Sequence, residues 1–278
     1  MSHQTTFRAG GNADIIAFPA TTDALINILK SADSENIPYM VMGNDSNILV
    51  CDNGIRGIVI KTTSLETNIK VSDTTISCSA GASLSKLCLT ALEHGLTGLE
   101  FAYGIPGTVG GAVYMNAGAY GGEIKDVLKS VTHINPDFCA ENVSADSLNL
   151  AYRTSFYAKN PNYIITDAVF ELKKGDKTEI KAKMDELMGR RKDKQPLEFP
   201  SAGSTFKRPE GYFAGALIEQ CGLKGYSVGG AQVSEKHAGF VINKNGSASD
   251  ILALIEHVKN TVKEETGIEL EPEVKIIY

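Results

Sequence analysis

The stretch Gly104-Ile105-Pro106-Gly107-Thr108-Val109-Gly110-Gly111-Ala112-Val113-Tyr114-Met115-Asn116-Ala117-Gly118-Ala119-Tyr120-Gly121-Gly122 constrains this chain more than any other. Seven of its nineteen residues are glycine, and their neighbours are small or apolar, unlike the Ser, Gln and Pro of a linker. Ordered glycine costs backbone entropy. A dense run that is not low-complexity therefore suggests that the backbone approaches something very closely. Bare N–H groups beside small side chains suit a phosphate or a flat ring system, whereas the plain alternative is a tight loop between packed elements. A second loop, Gly43-Asn44-Asp45-Ser46-Asn47, follows a short strand and would alone be an ordinary turn. Two such loops in one half of the chain point to a dinucleotide-sized ligand. No Gly-x-Gly-x-x-Gly opens a βαβ unit and no Gly-x-x-x-x-Gly-Lys-Ser/Thr is present, so the cradle is of another kind.

With 278 residues, 42% hydrophobic and 22% charged, the chain has the balance of a soluble globular enzyme of one to three domains. No run approaches the roughly 18 apolar residues of a membrane span. The start, Met1 to Arg8, has no basic region leading into an apolar core, so a cytoplasmic location is expected. A net charge of −6 argues against nucleic acid as the main partner. Five dispersed cysteines (Cys51, Cys78, Cys88, Cys139, Cys221) without Cys-x-x-Cys fit reduced, mostly buried thiols. The five histidines make no metal-ligand spacing, and no metal is expected.

Periodicity predicts helices over Thr22–Ser34, Ser83–His94, Lys177–Arg191, Phe213–Cys221 and Ser249–Thr266. Strands are predicted at Ile15–Phe18, Tyr39–Met42, Ile48–Val50, Ile58–Ile60, Ile69–Val71, Thr75–Cys78, Val131–Ile134, Tyr163–Phe170, Gly230–Val233, Gly239–Ile242 and Val274–Ile277. The alternation does not repeat as βαβ units, so the fold class is α+β, in parts 1–65, 66–192 and 193–278.

Several segments together resemble one family. Thr5-Thr6-Phe7-Arg8-Ala9-Gly10-Gly11, the Gly43–Asn47 loop, Gly104 to Gly111 and Tyr152-Arg153-Thr154-Ser155 are among them. So are Ser201-Ala202-Gly203-Ser204-Thr205-Phe206-Lys207-Arg208-Pro209, Gly229-Gly230-Ala231-Gln232-Val233-Ser234 and Glu271-Pro272-Glu273-Val274. In this order they resemble the UDP-N-acetylenolpyruvoylglucosamine reductases over nearly the whole chain, and the length is similar to the shorter subgroup without an inserted tyrosine loop. One departure is Asp45, which stands where the family commonly has a second glycine; aspartate tolerates a left-handed backbone better than most residues.

The resemblance implies an FAD-binding region of the vanillyl-alcohol-oxidase type, in two subdomains, and a C-terminal α+β substrate domain. It implies non-covalent FAD, reduced by NADPH, and hydride transfer to the enolpyruvyl ether of a UDP-sugar, giving UDP-N-acetylmuramate for peptidoglycan. By resemblance the catalytic residues are Arg153, Ser204 and Glu273. The cofactor-binding set is Gly43, Asn44, Asp45, Ser46, Asn47, Gly104, Ile105, Pro106, Gly107, Thr108, Gly110, Gly111, Asn116, Gly118 and Ala119. Tyr152, Lys207, Arg208, Gln232 and Lys275 are the candidate substrate contacts.

These residue types suit that chemistry. Hydride addition at C3 drives negative charge toward the carboxylate as an enol, and a fixed cation in a dry site stabilises it far more than water does. The planar fork of Arg153 suits a carboxylate better than a lysine. Ser204, a weak acid, serves only against a strongly basic carbon with good geometry, and Gly203 places it on a tight turn. Glu273 assists as a protonated acid if burial raises its pKa. Taken singly, Arg153 reads as a surface ion-pair residue, Ser204 as a cap and Glu273 as a solvent-facing carboxylate. Another FAD oxidase, a nucleotide-sugar binder without turnover and a carbohydrate-binding module are the competing classes. The matches at Ser204 and Glu273 lie outside the flavin region, against the first. A binder would have no chemical use for the three catalytic residues, and a module none for two glycine loops.

Overall fold

Thr21 accepts the Ala24 N–H at 3.1 Å and so starts the helix Thr22–Ser34 in the computed structural model, which describes residues 1–278. The helix buries Leu25, Leu29 and Ala32, which recur along one face as its periodicity requires. Leu25 and Leu29 meet Ile60, Leu65, Ile134 and Ile164 in a small core. Beside it, Tyr39–Met42 runs parallel to Ile55–Lys61, from Tyr39 opposite Ile58 to Met42 opposite Lys61. Ala13–Ala17 completes that sheet on the far side of Ile55–Lys61.

The chain divides into two compact units, the larger made of Ile15–Asn44 and Gly57–Arg190. Its centre is an antiparallel sheet in the order Ala140–Ser144, Leu128–Ile134, Ile164–Glu171, Thr75–Ser79, Ile69–Ser72. Ser83 caps the helix Leu84–Glu93, which buries Leu84, Leu87, Cys88 and Ala91. The glycine run contains a helix of its own, Val109–Met115. Thr108 accepts the Gly111 N–H at 3.3 Å at its start, and Val109, Ala112 and Val113 are buried. Glycine content alone reads as loop; tertiary packing of the Val109, Ala112 and Val113 face overrides it. Within this unit burial pushes the Cys78 and Cys88 thiols up to about 12, so neither is a nucleophile near neutrality.

The other unit gathers Met1–Asp14, Asp45–Arg56 and Arg191–Tyr278, so two short early segments pack with the C-terminal part. Its core is built on the helix Ala248–Thr266, which buries Ile251, Leu254, Ile255, Val258 and Val262 against Phe7, Leu49, Phe206 and Leu217. Ile48–Val50 pairs in parallel with Lys275–Ile277, and Ala231–Val233 lies between Ser227–Val228 and Val241–Asn243. The long helix starts at Ala248 rather than Ser249 because Ser247 and Asp250 form a capping box.

Asp52 reinforces that helix start. Its carboxylate accepts the Ala248 and Ser249 N–H groups, each at 2.9 Å, and the Ser249 hydroxyl at 2.6 Å. Partial burial raises its pKa, but the bonds from Ser249 and Ala248 outweigh this and hold it below the usual carboxylate range. Asp52→Ala is expected to cost about 1 kcal/mol, read as a lower thermal midpoint. A carboxylate whose pKa is depressed on folding stabilises fully above its unfolded value, about 3.9, and loses this as pH falls through the folded value. The gap between wild type and variant should therefore persist at neutral pH and close on acidification. A gap independent of pH would show that the charge is not responsible.

Candidate active site

In the larger unit Gly43 and Asn44, which open the first candidate cradle loop, meet the glycine run. Asn44 Nδ2 donates to the Pro106 carbonyl at 2.7 Å. A Cβ on Gly43 would lie 2.3 Å from Thr108 Oγ1, so only a residue without a side chain allows the approach. The Pro106–Gly110 backbone is pinned in turn to Ala80–Leu84. Gly107 O accepts Leu84 N–H at 3.0 Å, Val109 N–H donates to Ala82 O at 2.8 Å, and Gly110 N–H donates to Ala80 O at 2.9 Å. Gly43, Asn44, Gly104, Ile105, Pro106, Gly107, Thr108, Gly110 and Gly111 thus belong to one buttressed surface.

The second half of the glycine run does something else. Gly118–Ala119 and Gly122–Glu123 form a small hairpin, and the Gly118 carbonyl accepts Arg153 Nη2 at 2.9 Å. Arg153 sits in a tight turn in which Ala151 and Thr154 exchange backbone bonds at 3.1 and 3.2 Å. Its φ is +54°, in the left-handed region. The guanidinium lies 4.9 Å from the centre of the exposed Tyr152 ring. Asn116 is fully buried, and its side chain is bonded to Ala151, Glu123 and Lys125.

In the smaller unit the irregular segments that carry Ser204 and Glu273 run side by side. Glu273 N–H donates to Thr205 O at 2.8 Å, Lys207 N–H donates to Glu271 O at 2.9 Å, and Phe206 bridges Pro272. Gly203, at φ +76°, turns the chain into this pairing, as the sequence requires of that position. Asn47 joins the same group: Nδ2 donates to Glu273 O at 3.2 Å, and Asn47 O accepts Lys275 N–H at 3.0 Å. Asp45 is buried at φ +52°, the left-handed conformation that its position in the loop demands.

Sequence reasoning did not single out His237. A Cβ on Gly239 would lie 3.5 Å from Ser204 Oγ and 3.0 Å from His237 Cε1, so a bare glycine separates the two side chains. Gly239 N–H donates to His237 Nδ1 at 3.1 Å. Burial lowers the imidazole pKa, with Lys224 and Lys194 adding to it, and His237 is neutral near pH 7. The available signal was a histidine in a glycine-flanked turn, which most often means packing.

Residues 13–137 match the profile of an FAD binding domain, and residues 195–277 match that of the UDP-N-acetylenolpyruvoylglucosamine reductase C-terminal domain. The chain is 51% identical over all 278 residues to the UDP-N-acetylenolpyruvoylglucosamine reductase of Caldanaerobacter subterraneus subsp. tengcongensis, covering 91% of that protein. The reductase of Clostridium perfringens matches to the same extent. This chain belongs to the UDP-N-acetylenolpyruvoylglucosamine reductase family. The crystal structure of the family's reductase from Thermus caldophilus superposes with a TM-score of 0.84 at 35% identity, covering 100% of this chain and 97% of that one. This family member is accordingly an FAD-dependent oxidoreductase, an α+β protein with an FAD-binding domain and the family's C-terminal domain. No helix is long and apolar enough to cross a membrane.

The residues present fit FAD. The Ser46 and Asn47 N–H groups donate to no group of the protein, as a pyrophosphate cradle requires. The Gly104–Gly111 surface is bare of long polar side chains, as a flat ring requires. The family member's candidate substrate residues are differently engaged. Lys207 is ion-paired with Glu271. The exposed Arg208 stacks on Phe213 at 4.5 Å. Gln232 Nε2 is spent on Gly225 O and Ser227 Oγ at 3.0 and 3.1 Å. The Lys275 side chain is exposed.

Proposed function

We propose that this chain reduces the enolpyruvyl ether of UDP-N-acetylglucosamine enolpyruvate to UDP-N-acetylmuramate, a peptidoglycan precursor, with Arg153, Ser204 and Glu273 as the residues at the reacting group. The observation that carries the reading is the backbone pairing that places Ser204 and Glu273 on adjacent segments, flanked by Asn47 of the cofactor loop. FAD, when bound, supplies at C3 of the enolpyruvyl group the hydride it has taken from NADPH. Gly43–Asn47, Gly104–Thr108 and Gly110–Gly111 hold it, by backbone more than by side chain.

Arg153 takes the substrate carboxylate, on which negative charge grows as C3 gains hydride. Ser204 Oγ then gives its proton to C2, completing the saturated ether, and recovers a proton from solvent. Glu273, as a carboxylic acid, donates a hydrogen bond to the same developing enol. Lys207, Arg208 and Lys275 supply positive charge for the diphosphate, and Tyr152 and Gln232 contact the sugar or nucleotide. The division into 1–65, 66–192 and 193–278, and a cytoplasmic place of work, complete the reading.

Anaerobic stopped-flow tests it. NADPH should bleach the bound flavin, and the enolpyruvyl UDP-sugar should restore its oxidised spectrum in a second, separate step. A reduced flavin that the enolpyruvyl UDP-sugar reoxidises no faster than UDP-N-acetylglucosamine does would overturn the assignment.

A further inference from the structure

Asn116 ends the helix Val109–Met115 in the left-handed conformation, φ 41° and ψ 57°, with no part of it exposed. A buried carboxamide is costly unless its donors and acceptor are used. Here Nδ2 donates to Ala151 O at 3.0 Å and to Glu123 Oε2 at 3.2 Å, and Oδ1 accepts Lys125 N–H at 2.9 Å. Those contacts divide into two groups. Ala151 opens the turn that carries Arg153 at its tip, and Glu123 and Lys125 belong to the hairpin and to the 3-10 turn that follows it. The Gly118 carbonyl of the same hairpin receives the Arg153 guanidinium. One side chain therefore ties the backbone that carries Arg153 to the backbone that aims its head.

The turn needs such support. A non-glycine residue in the left-handed region is strained and persists only where its surroundings over-determine it. Arg153, at +54°, is such a residue. A second tie comes two residues along: Ser155 Oγ donates to Tyr114 O at 2.7 Å, on the helix that Asn116 ends. No comparable strain-bearing role falls to Ala117 or Ala119, whose side chains carry no polar group.

We propose that Asn116 is a positioning residue for Arg153, holding its turn and the Gly118–Glu123 hairpin in one register, instead of a side-chain contact to the cofactor. The inference rests on the reading of Arg153 as the carboxylate-binding cation. Misplacing a reacting group by about 1 Å costs on the order of 10²-fold, and that is the loss expected when the tie is cut.

The test is a double-variant cycle on the holoenzyme. Asn116→Gly removes the side chain while glycine keeps the left-handed backbone without strain. It should slow flavin reoxidation by the enolpyruvyl UDP-sugar about 10²-fold, leave the rate of flavin reduction by NADPH at the wild-type value, and speed hydrogen exchange at the Thr154 and Lys125 amides. In an Arg153→Ala background the same change should add nothing, because the group it positions is gone. Ser155→Ala, a milder cut to the same turn, should give a smaller loss in the same half-reaction, and decides the matter if Asn116→Gly does not fold. Equal slowing of both half-reactions, or a full additional loss on top of Arg153→Ala, would overturn the proposal. If Arg153→Ala alone leaves reoxidation unchanged, the reading of Arg153 fails and takes the proposal with it. If Arg153→Ala slows reoxidation but neither Asn116→Gly nor Ser155→Ala does, the proposal alone fails.

Discussion

Ser204→Ala is expected to leave NADPH-driven reduction of the flavin at its wild-type rate and to slow reoxidation by the enolpyruvyl UDP-sugar about 10³-fold. The magnitude is that of removing a positioned general acid, about 10²–10⁴. The substitution is well placed to be clean. The backbone around it is fixed by bonds that an alanine retains: Thr205 N–H to Gly239 O at 2.8 Å and Glu273 N–H to Thr205 O at 2.8 Å. Gly203, not Ser204, carries the left-handed conformation of the turn. The neighbouring titratable side chain, His237, is neutral near pH 7 and uses Nδ1 to accept the Gly239 N–H, so no imidazolium stands by to take over as a strong acid. Both half-reactions falling together in Ser204→Ala would make the serine a structural residue of the turn and remove the proton donor from the mechanism.

How far the sequence foretold this can be judged element by element. The helix Thr22–Ser34 was legible to the residue, because a polar cap and an apolar face at helical spacing agree. The strand Ala140–Ser144 was not: its sequence, Ala-Glu-Asn-Val-Ser, lacks apolar alternation, and it is held as an edge by pairing with Leu128–Ile134. The helix Val109–Met115 was hidden by its own glycines, though Thr108 was an available N-cap signal. Motifs distant in sequence gave Ser204 and Glu273 as separate matches, and only the pairing of Phe206 with Pro272 makes them neighbours. The part least visible in one dimension was the role of Asn116. A glycine-rich context suggests contact with a ligand, whereas the side chain faces inward to Ala151, Glu123 and Lys125. Fully satisfied buried polar groups of this kind leave no periodic trace, because their partners lie in other segments.

Arg153→Lys should lower the rate of flavin reoxidation by the enolpyruvyl UDP-sugar about 10²-fold while raising the dissociation constant for that substrate much less. The substitution isolates the head group. Lysine at this position bears the same left-handed backbone as arginine, so the strain of the turn is common to both enzymes. Charge is conserved as well. What changes is the fork: guanidinium presents five N–H donors in a plane, one of them committed to Gly118 O at 2.9 Å, and it lies against the Tyr152 ring. An ammonium on a flexible stem cannot hold that carbonyl and a carboxylate in one fixed plane. The difference matters most when charge on the carboxylate peaks, which is in the transition state and not in the bound substrate. Removing one such pre-aimed donor typically costs about 10²–10³ in turnover. A loss confined to kcat and kcat/KM in equal measure marks an interaction made in the transition state, whereas a rise in KM with kcat unchanged marks uniform binding. The second pattern would assign Arg153 to substrate capture alone and leave Glu273 as the group that meets the developing enol.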